Sequence, residues 1–86
     1  AIGLVNRAVA SERVLPEAHE LAREIAANAP IAVTGTKRAL ARSQAATLDD
    51  QLMFEASEQP RCFESGDIRE GLKAIRERRA PKFEGR

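Results

Sequence analysis

The side chains able to do chemistry are few and scattered. His19 is the one histidine and stands beside Glu20 on the polar side of an apolar-periodic segment. A histidine acting as a general base needs a nucleophile or substrate on one ring nitrogen and an orienting partner on the other. Neither accompanies His19, which therefore reads as a solvent-exposed helix residue. Cys62, the one cysteine, has Arg61 beside it. A neighbouring cation lowers a thiol's pKa, but the position of Cys62 near an apolar stripe describes a partly buried, inert thiol. Asp49, Asp50, Glu55 and Glu58 could pair for acid–base work or metal binding, yet the start of a helix already accounts for the two aspartates. The run Lys73, Arg76, Arg78, Arg79, Lys82 and Arg86 could hold a phosphate. Composition alone favours a solvated face, neutralised in part by Glu70, Glu77 and Glu84. Phe54, Phe63 and Phe83 read as core or interface residues. No Gly-rich phosphate loop and no nucleophile elbow occurs. No catalytic and no metal-ligating residue is assigned.

The elements that carry these residues read as helices. Ile2-Gly3-Leu4-Val5 followed by Ala8-Val9 forms a short extended stretch with a turn at Asn6-Arg7, too little to make a stable sheet alone. Pro16 suits a first helical position, and Ala18, Leu21, Ala22, Ile25, Ala26 and Ala29 recur at three- and four-residue steps. Asn28 and Pro30 stop that helix. Pro30 starts a second, Ile31 to Gln44, in which Gly35 costs about 1 kcal/mol relative to Ala. Lys37, Arg38 and Arg42 load its second half, complementing the helix dipole.

A third helix starts at Thr47, whose hydroxyl can cap it, with Asp49 and Asp50 in the first turn. Leu48, Leu52, Ala56 and Phe63 share a stripe. Met53 and Phe54 widen it beyond what one neighbour covers, which points to a subunit or domain interface. Pro60 is expected to kink or interrupt the helix. Ser65 is the expected cap of the last helix, with Ile68, Gly71, Leu72 and Ile75 as its stripe. Pro81 ends it and Phe83 lies in an extended tail. The architecture is all-α, about four helices with short connections, preceded by a short extended segment.

The chain has 86 residues, 43% hydrophobic and only 3% aromatic, so its core must come from Leu, Ile, Val and Ala. A chain of this size buries only about 60% of the surface its unfolded form exposes, and an apolar face in need of a partner is expected. A single cysteine excludes an internal disulfide, and one His with one Cys makes no structural zinc site. No apolar run is long enough to span a membrane. The opening AIGLVNRAV lacks the form of a signal peptide, so the expected compartment is the cytoplasm. The missing initial Met hints at a fragment or processed product. A net charge of +1 does not imply nucleic acid, and aromatic interleaving for base stacking is missing.

Taken in order, several blocks resemble the C-terminal part of the enoyl-CoA hydratase/isomerase (crotonase) family. They are Ile2 to Arg7 (IGLVNR), Ala22 to Pro30 (AREIAANAP), Thr36 to Leu40 (TKRAL), Leu52 to Glu55, Phe63 to Asp67 (FESGD), and Glu70 to Phe83 (EGLKAIRERRAPKF). The likeness is collinear over essentially the whole chain. It implies an enzyme for acyl-coenzyme A thioesters, most simply 2-enoyl-CoA hydration in fatty-acid metabolism, with no permanently bound cofactor and acyl-CoA as substrate. Family members stabilise a thioester enolate in an oxyanion hole of backbone N–H groups. That hole and the catalytic acids belong to a spiral ββα core upstream of the IGLVN-like segment. Residues 1–10 would then be the end of that core, and residues 11–86 a helical segment for oligomerisation and closure of the CoA site. The resemblance also implies a homo-oligomer, trimer or hexamer. It makes Arg78 a candidate contact to a CoA phosphate, places Ile75 where relatives carry an aromatic near adenine, and sets Phe63 near the acyl pocket. Ile75 departs from the family pattern, which weakens stacking but keeps an apolar contact. Pro60 is also not typical of the family helix.

Two other readings stand beside this one. The first is a free-standing helical protein–protein interaction module without catalytic activity. The second is a basic helix for nucleic acid or a membrane surface, whose binding would fall steeply with salt.

Overall fold

Capping chemistry and apolar spacing divide the chain into four helices joined by short connections. The computed structural model describes residues 2–86. Residues 2–10 hold no regular element and are exposed. A 3-10 turn, Ser11–Arg13, leads into α1 (Val14–Ala26), followed by α2 (Pro30–Ser43), α3 (Leu48–Phe63) and α4 (Gly66–Glu77). No strand occurs among the described residues. The all-α expectation holds.

α1 begins two residues before Pro16 rather than at it. The proline still falls in the first turn, where its missing N–H has no intrahelical acceptor to serve. Pro30 does open α2. Thr47 caps α3 as expected: its hydroxyl accepts from Asp50 N at 3.2 Å, while the Asp50 carboxylate accepts from Thr47 N at 3.4 Å. This reciprocal pair is a capping box. Pro60 does not interrupt α3, which runs on to Phe63. So close to the helix end, a proline removes one backbone bond and leaves the preceding turns intact.

The packing of α3 leaves its Leu48–Leu52–Ala56 stripe outward. α2 and α3 form the main helix pair, and α3 meets α2 with half-buried Gln51, Phe54 and Glu58, not with the Leu48–Leu52–Ala56 stripe. Three contacts explain the choice. Glu58 takes Arg38 of α2 as its ion-pair partner, with Arg61 also at 3.3 Å. The Arg42 guanidinium lies 4.7 Å from the centroid of the Phe54 ring. Gln51 Nε2 donates to Ala39 O at 3.1 Å. Gly35, buried in α2, admits this approach: a Cβ there would sit 3.1 Å from Glu58 Oε2. Leu48, Leu52, Met53 and Phe63 remain exposed.

α1 leans on α2, and α4 on α3, more lightly. Ala74 is the one buried apolar residue among those described, at 2% exposure. No helix is long and apolar enough to cross a membrane among the described residues.

Candidate functional site

The site is built on α4 and the tail that folds back along it. Asp67 and Glu70 lie three residues apart, hence on one side of the helix. Each grips tail backbone. Glu70 Oε1 accepts from Lys82 N at 2.8 Å. Asp67 accepts from Glu84 N at 2.8 Å and from Gly85 N at 2.9 Å. Between these anchors Phe83 packs over Gly71, where an added Cβ would lie 3.6 Å from the ring. The strap ends at Arg86, whose carbonyl accepts from Gly66 N at 2.7 Å. This backbone acceptor serves the start of α4. Ser65 stands at the cap position without a capping side-chain bond, and its hydroxyl donates instead to Cys62 O at 2.7 Å. The expectation of a Ser65 side-chain cap is thus corrected.

α4 ends on a left-handed residue that is not glycine. Arg78 has φ 52° and ψ 45°. Arg78 N donates to Ile75 O at 3.2 Å, and Arg79 N donates to Ala74 O at 3.0 Å. These two bonds form a Schellman motif, in which glycine usually takes the left-handed place. Arg79, next in the chain, holds Glu70 with both terminal nitrogens, at 2.6 and 3.0 Å. It also donates through Nε to Glu77 at 2.6 Å. Hydrogen bonds from Arg79 and from Lys82 N pull the Glu70 carboxyl from its ordinary 4.5 down to about 2. Its ionised form therefore stabilises the strap fully above the ordinary value, and that support is lost only as pH falls toward about 2.

An apolar pocket of about 260 Å³ opens between the start of α2, the end of α3, α4 and the tail. Ile31, Cys62, Ile68, Leu72, Ile75 and Phe83 line it. Ile75 is one turn of helix before Arg78, and both are exposed. Among the described residues Arg78 has no ion-pair partner, whereas Arg79 is paired with Glu70 and Glu77, and Arg86 with Glu84. The basic run is thus divided: Arg79 and Arg86 are neutralised as the sequence suggests, while Lys73, Arg76, Arg78 and Lys82 have no ion-pair partner among the described residues.

Of the three candidate site residues, the structure brings Ile75 and Arg78 to the same end of α4. Phe63, at the end of α3, is 66% exposed and does not line the pocket with Ile75. His19 is exposed and Cys62 half-buried, as expected. Sequence reasoning treated Glu70 only as a neutralising charge and gave Asp67 no role beyond the helix start. Their spacing was visible; that the tail would return to both of them was not.

Residues 1–86 match the family model described as enoyl-CoA hydratase/isomerase. The chain is 37% identical over 84 residues to the short-chain-enoyl-CoA hydratase of Clostridium acetobutylicum, covering 98% of this chain and 31% of that protein. It is 34% identical over 82 residues to the crotonyl-CoA hydratase of Syntrophomonas wolfei, covering 95% and 32%. Among solved structures, an enoyl-CoA hydratase from Mycobacterium tuberculosis H37Rv superposes with a TM-score of 0.86 at 36% identity, over 98% of this chain and 33% of that one. One from Bacillus anthracis gives 0.84 at 32% identity, over 91% and 30%. The chain spans about a third of the length of the relatives it matches. A match of this extent to enzymes does not favour a free-standing interaction module.

Proposed function

Because the chain belongs to the enoyl-CoA hydratase/isomerase family, we propose that it is the C-terminal helical third of an enzyme hydrating 2-enoyl-CoA thioesters. In this reading α4 and its tail close the coenzyme end of the active site. The exposed α3 face joins copies into a trimer or a hexamer. The setting we propose is cytoplasmic. The chain itself carries binding and assembly. The oxyanion hole and catalytic acids belong to the ββα core that the family places before residues 1–10.

The observation that carries the reading is Arg78, an exposed guanidinium without an ion-pair partner among the described residues, one turn beyond Ile75, which lines the apolar pocket. A fixed guanidinium is a bidentate partner for a phosphate. The apolar wall beside it suits the uncharged part of a nucleotide or pantetheine arm. Phe63 stands apart from this wall and is assigned to the acyl end of the substrate.

The test uses a full-length enzyme carrying this segment. Arg78→Ala leaves a residue with a Cβ in the same left-handed turn, so it removes the cation without relieving the backbone. The KM for crotonyl-CoA should rise while kcat changes less, the mark of lost ground-state binding. The KM for crotonyl-pantetheine, which lacks the nucleotide phosphates, should stay constant. An unchanged KM for crotonyl-CoA removes Arg78 from the site. The 86-residue chain alone should show no loss of the conjugated thioester's ultraviolet absorbance; measurable hydration would place catalytic groups within it.

A further inference from the structure

Arg78 occupies a conformation that its own side chain disfavours. A residue with a Cβ in the left-handed region is strained relative to glycine. Such a residue persists where its surroundings over-determine it. The surroundings here are specific. The residue after Arg78 is clamped by Glu70 through both guanidinium nitrogens, and the same carboxylate holds Lys82 N four residues beyond Arg78. Arg79 Nη1 also donates to Ala80 O at 3.0 Å, which stiffens the turn from within. One carboxylate on the second turn of α4 therefore fixes the chain on the C-terminal side of Arg78. The Schellman bonds to Ala74 and Ile75 fix it on the helix side.

We propose that Glu70 is a positioning residue for coenzyme binding: acting through Arg79, it holds the turn that presents the Arg78 cation beside Ile75. This rests on the reading of Arg78 as the contact to the coenzyme's phosphate. Glu70 itself touches no substrate, since its carboxylate is committed to Arg79 and the tail.

A double-mutant cycle in a full-length enzyme carrying this segment tests the proposal. Glu70→Gln keeps the shape of the side chain but removes the charge that holds Arg79. It should raise the KM for crotonyl-CoA by about three- to tenfold, with kcat and the KM for crotonyl-pantetheine unchanged. Arg79→Lys keeps the charge but loses the fork, and should behave the same way. It serves as the second variant where Glu70→Gln fails to fold. In an Arg78→Ala background neither change should raise the KM further, because the group they position is gone. Multiplicative effects in that background would show that Glu70 acts on the fold at large and overturn the proposal. So would an unchanged KM in Glu70→Gln when Arg78→Ala alone raises it. If Arg78→Ala alone leaves the KM unchanged, the reading of Arg78 fails instead, which is a separate result.

Discussion

A single backbone angle sets binding and stability against each other at Arg78. With φ 52° the position suits glycine, and the chain places a long cation there. Arg78→Gly should therefore stabilise the end of α4 by about 0.5–1 kcal/mol, the usual advantage of glycine at a left-handed helix end. It should at the same time weaken crotonyl-CoA binding, since the guanidinium is lost. The urea midpoint of a full-length enzyme carrying the change, at constant m value, reads the first effect. The KM for crotonyl-CoA reads the second. A lower midpoint would show that Arg78 contributes more by packing than its conformation costs. The Ile75–Arg78 spacing was legible in the sequence, because residues three apart share a helix face. The left-handed turn was not. An Arg-Arg pair reads as a helix continuing toward Pro81, and the usual signal for a stop, a glycine, is missing. The clamp that holds the turn joins residues nine apart, beyond the reach of helical periodicity.

Helix starts in this chain are served by two different devices, and they should respond differently to loss of a hydroxyl. α3 depends on Thr47, whose side chain accepts from Asp50 N. Thr47→Ala should cost about 1 kcal/mol and speed exchange of the Asp50 amide. α4 depends on the carbonyl of Arg86, brought back by the tail to Gly66 N. Ser65→Ala should cost about 0.5 kcal/mol, the worth of one ordinary hydrogen bond, here to Cys62 O. It should leave the Gly66 amide protected. Equal loss of amide protection in both variants would contradict the division. The Thr47 start was legible because capping is local, spanning four residues. Ser65 was rightly read as the cap position of α4, but its side chain does not cap, and the acceptor that serves Gly66 N lies twenty residues beyond that glycine. The same limit explains α3. Its apolar stripe was legible from the spacing of Leu48, Leu52 and Ala56, but the direction of that stripe was not. Which face turns inward depended on the charges and the glycine that α2 offers.

For its mass of 9.4 kDa the chain exposes far too much surface. A folded monomer of that mass exposes about 5,000 Å², and this one exposes 7,415 Å², roughly half as much again. Its radius of gyration, 16.2 Å, likewise exceeds the value of about 12 Å for a compact domain of this length. Apolar residues lie in the surplus: Leu15, Leu40, Leu48, Met53 and Ile75 are all more than two-thirds exposed. The surplus equals several times the roughly 800 Å² that one partner loses in a standard interface. Contact with further protein surface would be needed to cover it. The expectation of a poorly buried core was legible from 3% aromatics and short length, because neither depends on how the helices are arranged. The isolated 86 residues should consequently self-associate at micromolar concentration, bind a hydrophobic dye, and melt over a broad range without a sharp heat-capacity peak. Sedimentation across a dilution series, read together with calorimetry, decides the matter. A monomer at every concentration with a sharp, two-state transition would mean that these helices bury enough among themselves, and that the exposed α3 face needs no partner.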